Sequence, residues 1–329
     1  MHGPAMAGAR GRAKKAAGWE SATAGGKRPG MVLLKIADDR GVVLSLREPP
    51  ARIVSLVPSD TYSLVRLGAR ARLVGRTRYC VAPAGEVEDI EIVGGTKDAD
   101  VERITALAPD LVIANQEENT RTDILKLEAA GLRVLVSFPQ RVEAGLAHLA
   151  RLARALGGER GEEPARSVIA DAYHAHRAAE EARRGRAPVR TFIPIWMDPL
   201  MTVNGATFIS DMLALVGAEN VFAGRDRRYP LAADLGKAAP LTPERVGDRD
   251  LRYPRVTLDE IVASAPELVL LPDEPHAFTE ADAAVFRGLP IPAAARGAVV
   301  FCDGKDLMWY GARSVEGLDR LRAVVDAAR

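Results

Sequence analysis

The sequence predicts an α/β protein of two similar lobes, and three observations support that fold class. First, the segment Val101–Ile113 (VERITALAPDLVI) is echoed at Leu258–Leu270 (LDEIVASAPELVL), and each copy reads as a short amphipathic helix, a proline and a buried strand. Second, both strands run directly into polar residues, as strands do at the ligand-binding edge of an open parallel sheet. Third, the stretch Pro164–Arg184 predicts one long helix of ~20 residues, or ~30 Å. Because a unit repeated only once is too short for a solenoid, we predict two Rossmann-like lobes with central parallel sheets, joined by one long backbone helix.

The first lobe, with a leading hairpin, is predicted over residues 31–139. Val32–Leu46 reads as a β-hairpin turned by DDRG. Arg52–Val57 is the first core strand, and a helix over Thr61–Leu67 follows it with Ser59 or Asp60 as N-cap. The pattern then predicts a strand over 73–75, a strand at 92–93 with a glycine loop, the repeat helix and strand, a helix over 122–130 and a strand over 133–136.

A linker of two helices, over 142–156 and 164–184 within residues 140–187, precedes the second lobe at 188–329. That lobe opens with a strand over Arg190–Trp196 and a helix over Phe208–Val216 capped by Thr207. Residues 225–254 are polar, rich in Pro and Gly, and hard to assign to helices or strands. After the repeat come a helix over 279–287, a strand over 298–301, a loop over 303–311 and a last helix over 314–328.

The totals are those of a globular protein, and they exclude several classes of function. The 329 residues are 47% hydrophobic and 27% charged, which suits two domains with real cores. Because 45 basic residues face 44 acidic ones, the charge does not call for nucleic acid or an anionic membrane as partner. Two cysteines, Cys80 and Cys302, are too few for a disulfide framework or an iron–sulfur site.

The amino-terminal 30 residues are rich in Gly, Ala and basic residues, lack periodicity and predict a disordered tail. They contain no apolar core of about 7–15 residues, so the sequence as given predicts a cytoplasmic protein rather than a secreted one. If the true start lies elsewhere, for example at Met31, a periplasmic location becomes open. No apolar run approaches the ~20 residues of a membrane span, so we expect no membrane insertion.

Several stretches together resemble the class III substrate-binding proteins of ABC transporters. They are RIVSLVPSDTYSLVRLGARARLVGRT, VGGT followed by ERITALAPDLVIA, the long helix and the repeated helix–proline–strand unit. Members of this group, the helical backbone metal receptors, bind cobalamin, iron siderophores or haem. TRYCVAP, GGTK, IANQEEN, RYP and MWYG are similar to a subgroup known only as helical backbone metal receptors.

The resemblance covers roughly residues 35–325 and implies a receptor rather than an enzyme. It implies a monomer with no intrinsic cofactor and a cleft that closes little around its ligand. That ligand would be a metal chelate or corrinoid, which the receptor presents to the permease of an ABC importer. The resemblance also implies that one acidic residue on each lobe docks on the transporter, at Glu102 and Asp259 here. The residues alone leave a second interpretation open, since an acid in the first turn of a helix also favours the helix dipole.

A large planar or organometallic ligand needs aromatic walls and a few fixed polar groups. The candidate ligand-binding residues are Tyr79, Cys80, Thr96, Lys97, Glu117, Glu118, Asn119, Trp196, Arg228, Tyr229, Trp309 and Tyr310. Other interpretations stay open for several of them. Cys80 could be a small buried residue, Asn119 or Thr120 could cap the next helix, and Trp196 could pack inside the second lobe.

Lys97 follows two glycines and could meet a carboxylate or phosphate, with Arg228 as its counterpart in the other lobe; surface solvation is the alternative for both. The five histidines lie on the tail, on helices or alone at His276, so no metal site of the protein's own is predicted.

Two functions of other kinds remain as alternatives. A cytosolic corrinoid or tetrapyrrole carrier would use the same cleft without needing Glu102 or Asp259. An enzyme with Cys80 as nucleophile would need a base, and the sequence places no histidine near Cys80.

Overall fold

Two four-stranded parallel sheets with helices around them make up the computed structural model, which describes residues 34–157 and 163–329. The predicted disordered tail at residues 1–30 lies outside the described residues. The predicted fold class, two Rossmann-like α/β lobes with central parallel sheets and one long joining helix, is confirmed. The predicted lobe boundaries at 139/140 and 187/188 stay predictions. No helix within the described ranges combines the length and the apolar character that crossing a bilayer requires.

The first sheet is formed by the amino-terminal half of the chain. Its strands and those of the leading hairpin are β1 (Leu34–Ala37), β2 (Val43–Leu46), β3 (Ile53–Ser55), β4 (Leu73–Arg76), β5 (Leu111–Asn115) and β6 (Val134–Ser137). Its helices are α1 (Pro58–Arg66), α2 (Val101–Ala106), α3 (Arg121–Ala129), α4 (Val142–Ala155) and α5 (Glu163–Arg183). The strand order is β4-β3-β5-β6, all parallel, and β1 pairs with β2 as the predicted hairpin.

The second sheet is formed by the carboxy-terminal half, in the order β10-β7-β11-β12. Its strands, with those of a separate hairpin, are β7 (Val189–Phe192), β8 (Pro194–Met197), β9 (Leu200–Thr202), β10 (Ala218–Asn220), β11 (Leu268–Pro272) and β12 (Val299–Cys302). Its helices are α6 (Phe208–Leu215), α7 (Leu231–Asp234), α8 (Pro243–Val246), α9 (Leu258–Ser264), α10 (Glu280–Arg287), α11 (Pro292–Ala295), α12 (Gly304–Met308) and α13 (Ala312–Ala327).

The sequence repeat corresponds to the same structural unit in both halves, α2–β5 and α9–β11. In each copy the alanine before the proline takes a left-handed conformation, with φ of 43° at Ala108 and 46° at Ala265. The proline cannot continue a helix, so the chain turns there and enters the strand. All five residues of β5 and all five of β11 are buried, which explains why all of them except Asn115 are apolar.

The helix α5 joins the halves, and α13 also packs across them. The 21 residues of α5 contact α1 and α4 of the first half and α6 and α13 of the second. The last helix, α13, packs on α1 and α4. Trp309 and Ala312, on either side of the start of α13, belong to the core of the first half. The two sheets are therefore held by more than the single helix that was predicted.

Four local predictions are wrong, for reasons that lie beyond local pattern. The stretch Arg190–Trp196 divides, because β8 leaves the sheet and pairs antiparallel with β9. Ile92 makes only an isolated bridge with Arg76 instead of forming a strand. The loop 303–311 contains α12, which Asp303 caps. Helix α1 begins at Pro58, with no side-chain cap from Ser59 or Asp60, because proline suits the first helical turn.

Candidate functional site

A cavity of about 860 Å³ lies at the carboxyl ends of the strands of both sheets. This is where ligands bind in open α/β sheets, and the volume is in the upper range for small-molecule sites. From the first half, the lining residues lie at the start of α1 and after the strands β4, β5 and β6. From the second half, they lie on β8, at the start of α6, before α9, and after the strands β11 and β12. Residues of the polar segments that follow β5 and β11 thus line one cavity.

Two asparagines build the loop that presents the acids after β5. The Asn115 side chain accepts hydrogen bonds from the backbone N–H of Glu117 at 2.7 Å and of Glu118 at 3.1 Å. Asn119 in turn accepts from the Asn115 N–H at 2.8 Å and donates to the Thr96 carbonyl at 2.9 Å. Asn119 is therefore buried behind the cavity, where it supports the wall. The cap of α3 is Thr120, which accepts from the Asp123 N–H at 3.0 Å.

A group that we call the latch joins the two halves at the cavity wall: Glu117, Arg252 and Tyr253. The Tyr253 hydroxyl donates to Glu117 Oε1 at 2.5 Å, and Arg252 Nη1 lies 2.5 Å from the same oxygen. The Arg252 guanidinium also lies over the Phe138 ring, 5.0 Å from its centroid. Hydrogen bonds to a charged acceptor are about twice as strong as neutral ones, so this contact restrains the segment before α9.

On the opposite wall, Lys305 sits within a group of acids. Its Nζ lies 3.5 Å from Asp273 Oδ2 and 3.8 Å from Glu274 Oε2, and 5.9 Å from the centroid of the Trp309 ring. On the first wall, Lys97 donates to the Glu117 carbonyl. Each lobe thus brings a lysine beside the acidic residues that follow its central repeat strand.

Two carboxyl groups in the cavity have pKa values above the ordinary glutamate range. Burial raises the pKa of Glu118, the charges of Glu117 and Asp60 raise it further, and Lys97 opposes the shift. Burial likewise raises the pKa of Glu274, against the effect of Lys305. The Glu118 side chain is open to the cavity itself, but protein surrounds it on its other sides, and this loss of bulk solvent favours the neutral acid.

Aromatic side chains supply much of the apolar surface of the cavity. Tyr79 stands at the wall with 54% of its surface exposed, whereas Trp309 is only 7% exposed and packs edge-on against Tyr62. The other aromatic lining residues are Phe138, Phe208, Tyr253 and Tyr310. Such faces suit a large planar ligand, which stacks on rings and is oriented by a few polar groups.

Of the predicted ligand-binding residues, seven line the cavity and five do not. The lining ones are Tyr79, Thr96, Lys97, Glu117, Glu118, Trp309 and Tyr310. Cys80 and Asn119 are buried behind the wall, and Trp196, Arg228 and Tyr229 lie outside it. Contact of the first seven with a ligand stays a prediction, because proximity to a cavity is not binding.

The five residues off the cavity each have another environment. The Cys80 thiol is 0% exposed and lies 3.1 Å from the Thr77 hydroxyl. Burial raises the pKa of this thiol, whereas an arginine-rich loop would lower the pKa of an exposed thiol. Trp196 is 43% exposed, its indole N–H donating to the Asp198 carbonyl at 3.0 Å. The Arg228 N–H donates to Asp234 Oδ1 at 2.9 Å, and the Tyr229 hydroxyl to the Asp250 carbonyl at 2.8 Å.

Sequence reasoning also missed residues that line the cavity, and for one pair the signal was present. The tripeptide RYP occurs twice, at 228–230 and at 252–254, and the second copy supplies Arg252 and Tyr253. The other missed lining residues with charged or aromatic side chains are Arg78, Phe138, Phe208, Asp250, Glu274 and Lys305. Glu274 follows a repeat strand and was recognisable from that position alone. No group of three or more His, Cys, Asp or Glu within the described ranges is arranged to hold a metal ion.

The predicted docking acids occupy equivalent places. Glu102 is the second residue of α2 and Asp259 the second residue of α9, and both are exposed. Both helices have side-chain N-caps, from Asp100 and Thr257, so neither acid is needed as a cap. Their role in docking stays a prediction.

The fold and the cavity define a class, the two-lobed solute-binding receptors. The chain belongs to the periplasmic binding protein family, whose model matches residues 53–271. A vitamin B12-binding protein of Yersinia pestis (strain Pestoides F) is 27% identical over 244 residues, which are 70% of this chain and 74% of the relative.

Two solved structures are similar in fold. The periplasmic heme-binding protein of Roseiflexus sp. RS-1, in apo form, has a TM-score of 0.66 at 20% identity, covering 84% of this chain and 99% of that one. The periplasmic vitamin B12-binding protein of Vibrio cholerae has a TM-score of 0.66 at 18% identity, covering 85% and 98%. At these identities the likeness concerns the fold alone.

Proposed function

We propose that the protein is a receptor that holds a metal chelate, and a corrinoid in particular, between its two sheets and delivers it to an ABC importer. The observation that carries the proposal is the cavity at the opposed strand ends, with aromatic side chains from both halves on its walls. A site of this kind suits a ligand with broad apolar faces. Relatives named vitamin B12-binding proteins and structural neighbours that bind heme or vitamin B12 support the same ligand class.

The charges of the cavity favour a neutral, amide-bearing ligand within that class. Four lining acids, Glu117, Glu118, Asp250 and Glu274, stand against four lining bases, Arg78, Lys97, Arg252 and Lys305. A polyanionic chelate would be repelled by the four acids as well as attracted by the four bases, so it would gain little affinity from its charge. The carboxamide groups of a corrinoid both donate and accept hydrogen bonds, so they match walls of mixed sign.

The cavity supports binding rather than catalysis. The thiol of Cys80, the nucleophile of the enzymatic alternative, is shielded from the cavity, and its pKa is raised rather than lowered. A thiol that stays protonated and buried is a poor nucleophile.

Docking on the importer would use Glu102 and Asp259. Two exposed acids at the same place on two similar lobes fit a partner with two-fold symmetry, which an importer built from paired subunits would present. Charge reversal at both, Glu102→Lys with Asp259→Lys, should abolish stimulation of transport while the ligand affinity stays unchanged. Transport that survives this double change would favour the cytosolic carrier without a transporter.

Location follows from the same proposal. A receptor that meets its permease works outside the cytoplasm, and the family description as periplasmic supports this. The predicted cytoplasmic location depends on residues 1–30, which lie outside the described residues, and it stays a prediction. Fractionation of the native organism with an antibody to the chain would distinguish the two.

The deciding experiment is a titration with cyanocobalamin, haemin and a ferric siderophore, followed by tryptophan fluorescence. Cyanocobalamin should quench the tryptophan fluorescence, and the quenching should saturate at one cyanocobalamin per chain. Trp309 should account for most of the change because it lines the cavity. Trp309→Phe should remove most of the quenching, whereas Trp196→Phe, which alters an exposed tryptophan outside the cavity, should keep it. Saturable binding of haemin alone would replace the corrinoid by haem. No saturable response to any of the three would overturn the proposal.

A further inference from the structure

The segment 225–255, between β10 and α9, carries an excess of positive charge. It contains eight basic and five acidic residues. Arg225 pairs with Asp234 and Glu260, and Arg252 pairs with Glu117 and Asp250. Arg227, Arg249 and Arg255, by contrast, have no carboxylate of the described residues within ion-pair distance of their guanidinium groups. Three further basic residues of the segment likewise have none, so unpaired positive charge extends along the segment, and Arg227, Arg249 and Arg255 differ from the others by where they lie.

Arg227 and Arg249 lie against Tyr229 and Arg255 lies near Arg227, and we call the four residues the arginine cluster. The Arg227 guanidinium carbon lies 4.6 Å and that of Arg249 5.3 Å from the centroid of the Tyr229 ring. Arg255 is close enough to Arg227 that burial and the charge of Arg227 both lower its pKa. Like charges held together in a half-buried place destabilise the fold unless an anion offsets them.

Hydrogen-bond donors in the cluster are also left without acceptors. Arg227 Nε and both Nε and Nη1 of Arg255 are buried, with no hydrogen-bond partner among the described residues. An unpaired buried donor costs about 1–3 kcal/mol, and more when the group is charged. Such groups call for an explanation, of which a bound ion is one.

The nearby acids are already engaged and cannot serve as that ion. Asp234 accepts from Arg225 Nη1 at 3.0 Å and from the backbone N–H groups of Arg228 and Arg255 at 2.9 and 2.8 Å. Asp250 accepts from Arg252 Nη2 at 2.7 Å. Asp234 also attracts Arg255, and Asp250 attracts Arg227, but both carboxylates are paired elsewhere and so offset the charge of the three arginines only in part.

We propose that Arg227, Arg249 and Arg255 form a binding site for a small oxyanion, of the phosphate or phosphate-ester class. Guanidinium forks bind tetrahedral oxyanions through paired N–H donors, and Tyr229 holds two of the three groups by their faces, which leaves their edges for the anion. A small ion fits better than an extended surface, because the unpaired donors of Arg227 and Arg255 lie below the surface.

The oxyanion site adjoins the ligand cavity without being part of it. The Tyr229 hydroxyl donates to the carbonyl of Asp250, and Asp250 lines the cavity. An anion bound at the cluster would therefore stabilise the segment that carries Arg252 and Tyr253 of the latch. The site does not depend on which ligand the cavity takes, so it stands or falls separately from the proposed function.

The test is a titration of the full chain with inorganic phosphate at constant ionic strength, with chloride as the balancing anion. Phosphate should raise the melting temperature with saturation, and isothermal calorimetry should give a finite dissociation constant. Arg227→Gln and Arg255→Gln should each weaken that constant at least tenfold. Arg245→Gln removes an exposed arginine of the same segment that lies outside the cluster, and it should bind phosphate like the wild type.

A second measurement excludes misfolding as the reason for lost binding. Without phosphate, Arg255→Gln should melt at the same temperature as the wild type or higher, because it relieves the repulsion from Arg227. Titration with phenyl phosphate distinguishes a free ion from the phosphate group of a larger ligand: tighter binding of the ester indicates the latter, and both results fit the site. A wild type without a saturable response to either, or an equal loss in Arg245→Gln, overturns the proposal.

Discussion

The hydroxyl of Tyr310 donates to Oδ2 of Asp60 at 3.0 Å, although 250 residues separate the two in sequence. Both side chains are buried, and the contact joins the last part of the chain to α1 in the first half. Asp60 also bonds His148 Nε2 at 2.9 Å. Because Arg151 can only donate, its 3.4 Å contact with His148 Nδ1 makes Nε2 the donor to Asp60.

The same hydroxyl reaches the ends of two strands of the first sheet. It lies 2.9 Å from the Ser137 hydroxyl, at the end of β6, and it accepts from Asn115 Nδ2 at 3.1 Å, at the end of β5. Tyr310 also lines the cavity. One buried polar group thus fixes the second half to the strand ends that present Glu117 and Glu118, so a rigid cavity is expected.

Tyr310→Phe should lower the free energy of unfolding by about 1–3 kcal/mol, because Asp60 and Asn115 lose a buried partner while the packing of the ring is kept. Urea unfolding followed by circular dichroism measures this loss. Tyr173→Phe, which removes the hydroxyl of an exposed tyrosine on α5, is the matched control and should change stability by less than about 0.5 kcal/mol. Equal stability of the two variants would mean that the Tyr310 hydroxyl contributes nothing across the halves.

Gly311→Ala should destabilise the protein by about 2–4 kcal/mol. Gly311 has a φ of +87°, and a Cβ added there would lie 2.6 Å from Ser63 Oγ of α1, where α13 begins. Gly236→Ala distinguishes backbone strain from steric overlap of the added Cβ. Gly236 also has a positive φ, +70°, but no atom lies within 4 Å of an added Cβ there. We expect it to cost only the backbone term, about 1–2 kcal/mol. Similar unfolding free energies for both variants would show that α1 and α13 tolerate the added methyl group.

The parts of the fold that the sequence predicted are those whose signals are local. The two α–Pro–β units were recognisable because proline, helical periodicity and a continuous apolar run lie within 13 residues of each other. The division of Arg190–Trp196 into β7 and β8 was not recognisable from the sequence. The strand β8 pairs with β9 outside the main sheet, and the two parts of the stretch have similar composition. Helix α12 was missed because five residues show no periodicity and only Asp303 marks its start.

The residues of the candidate site were likewise predictable only where the signal is local in sequence. Residues placed directly after strands, such as Glu117 and Glu118, line the cavity because the topology brings strand ends together. The second RYP copy was overlooked, and only the path of segment 225–255 places Arg252 at the cavity and Arg228 outside it. The burial of Cys80 depends on contacts with Thr77 and its surroundings that no spacing reveals.

Glu117→Gln should loosen the latch. Loss of the carboxylate charge weakens the contacts of Arg252 and Tyr253 by about 1–2 kcal/mol, which corresponds to about 5–30-fold faster exchange through local opening. Hydrogen exchange of peptides covering residues 249–255 measures this change.

The matched control for the latch is Glu316→Gln. Glu316 likewise accepts from a tyrosine hydroxyl, that of Tyr62 at 2.5 Å, and from Arg66 Nε at 2.9 Å, but it lies on α13. It should alter exchange around α13 and leave residues 249–255 unchanged. Exchange in 249–255 that is the same in Glu117→Gln and in the wild type would show that other contacts hold the segment.

Stability should depend on pH through Glu118 and Glu274. Their raised pKa values mean that the folded protein binds these protons more tightly than the unfolded chain does. Their favourable contribution is therefore complete below the ordinary glutamate pKa and is lost as the pH rises through the folded values. Glutamine mimics the neutral acid at every pH, so Glu118→Gln and Glu274→Gln should each raise the melting temperature at pH 7 by about 1–3 °C and change it little at pH 4.

Glu48→Gln, at an exposed acid in the loop after β2, is the control for this pH effect and should leave the melting temperature unchanged at both values. A lower melting temperature of Glu118→Gln at pH 7 would mean that attraction to Lys97 outweighs burial. The expected gain has a functional reason: carboxylates held in a partly desolvated cavity cost folding energy that a bound ligand can offset. Ligand-binding walls commonly carry such groups, and in this cavity Glu118 and Glu274 face it from the strand ends of the two sheets.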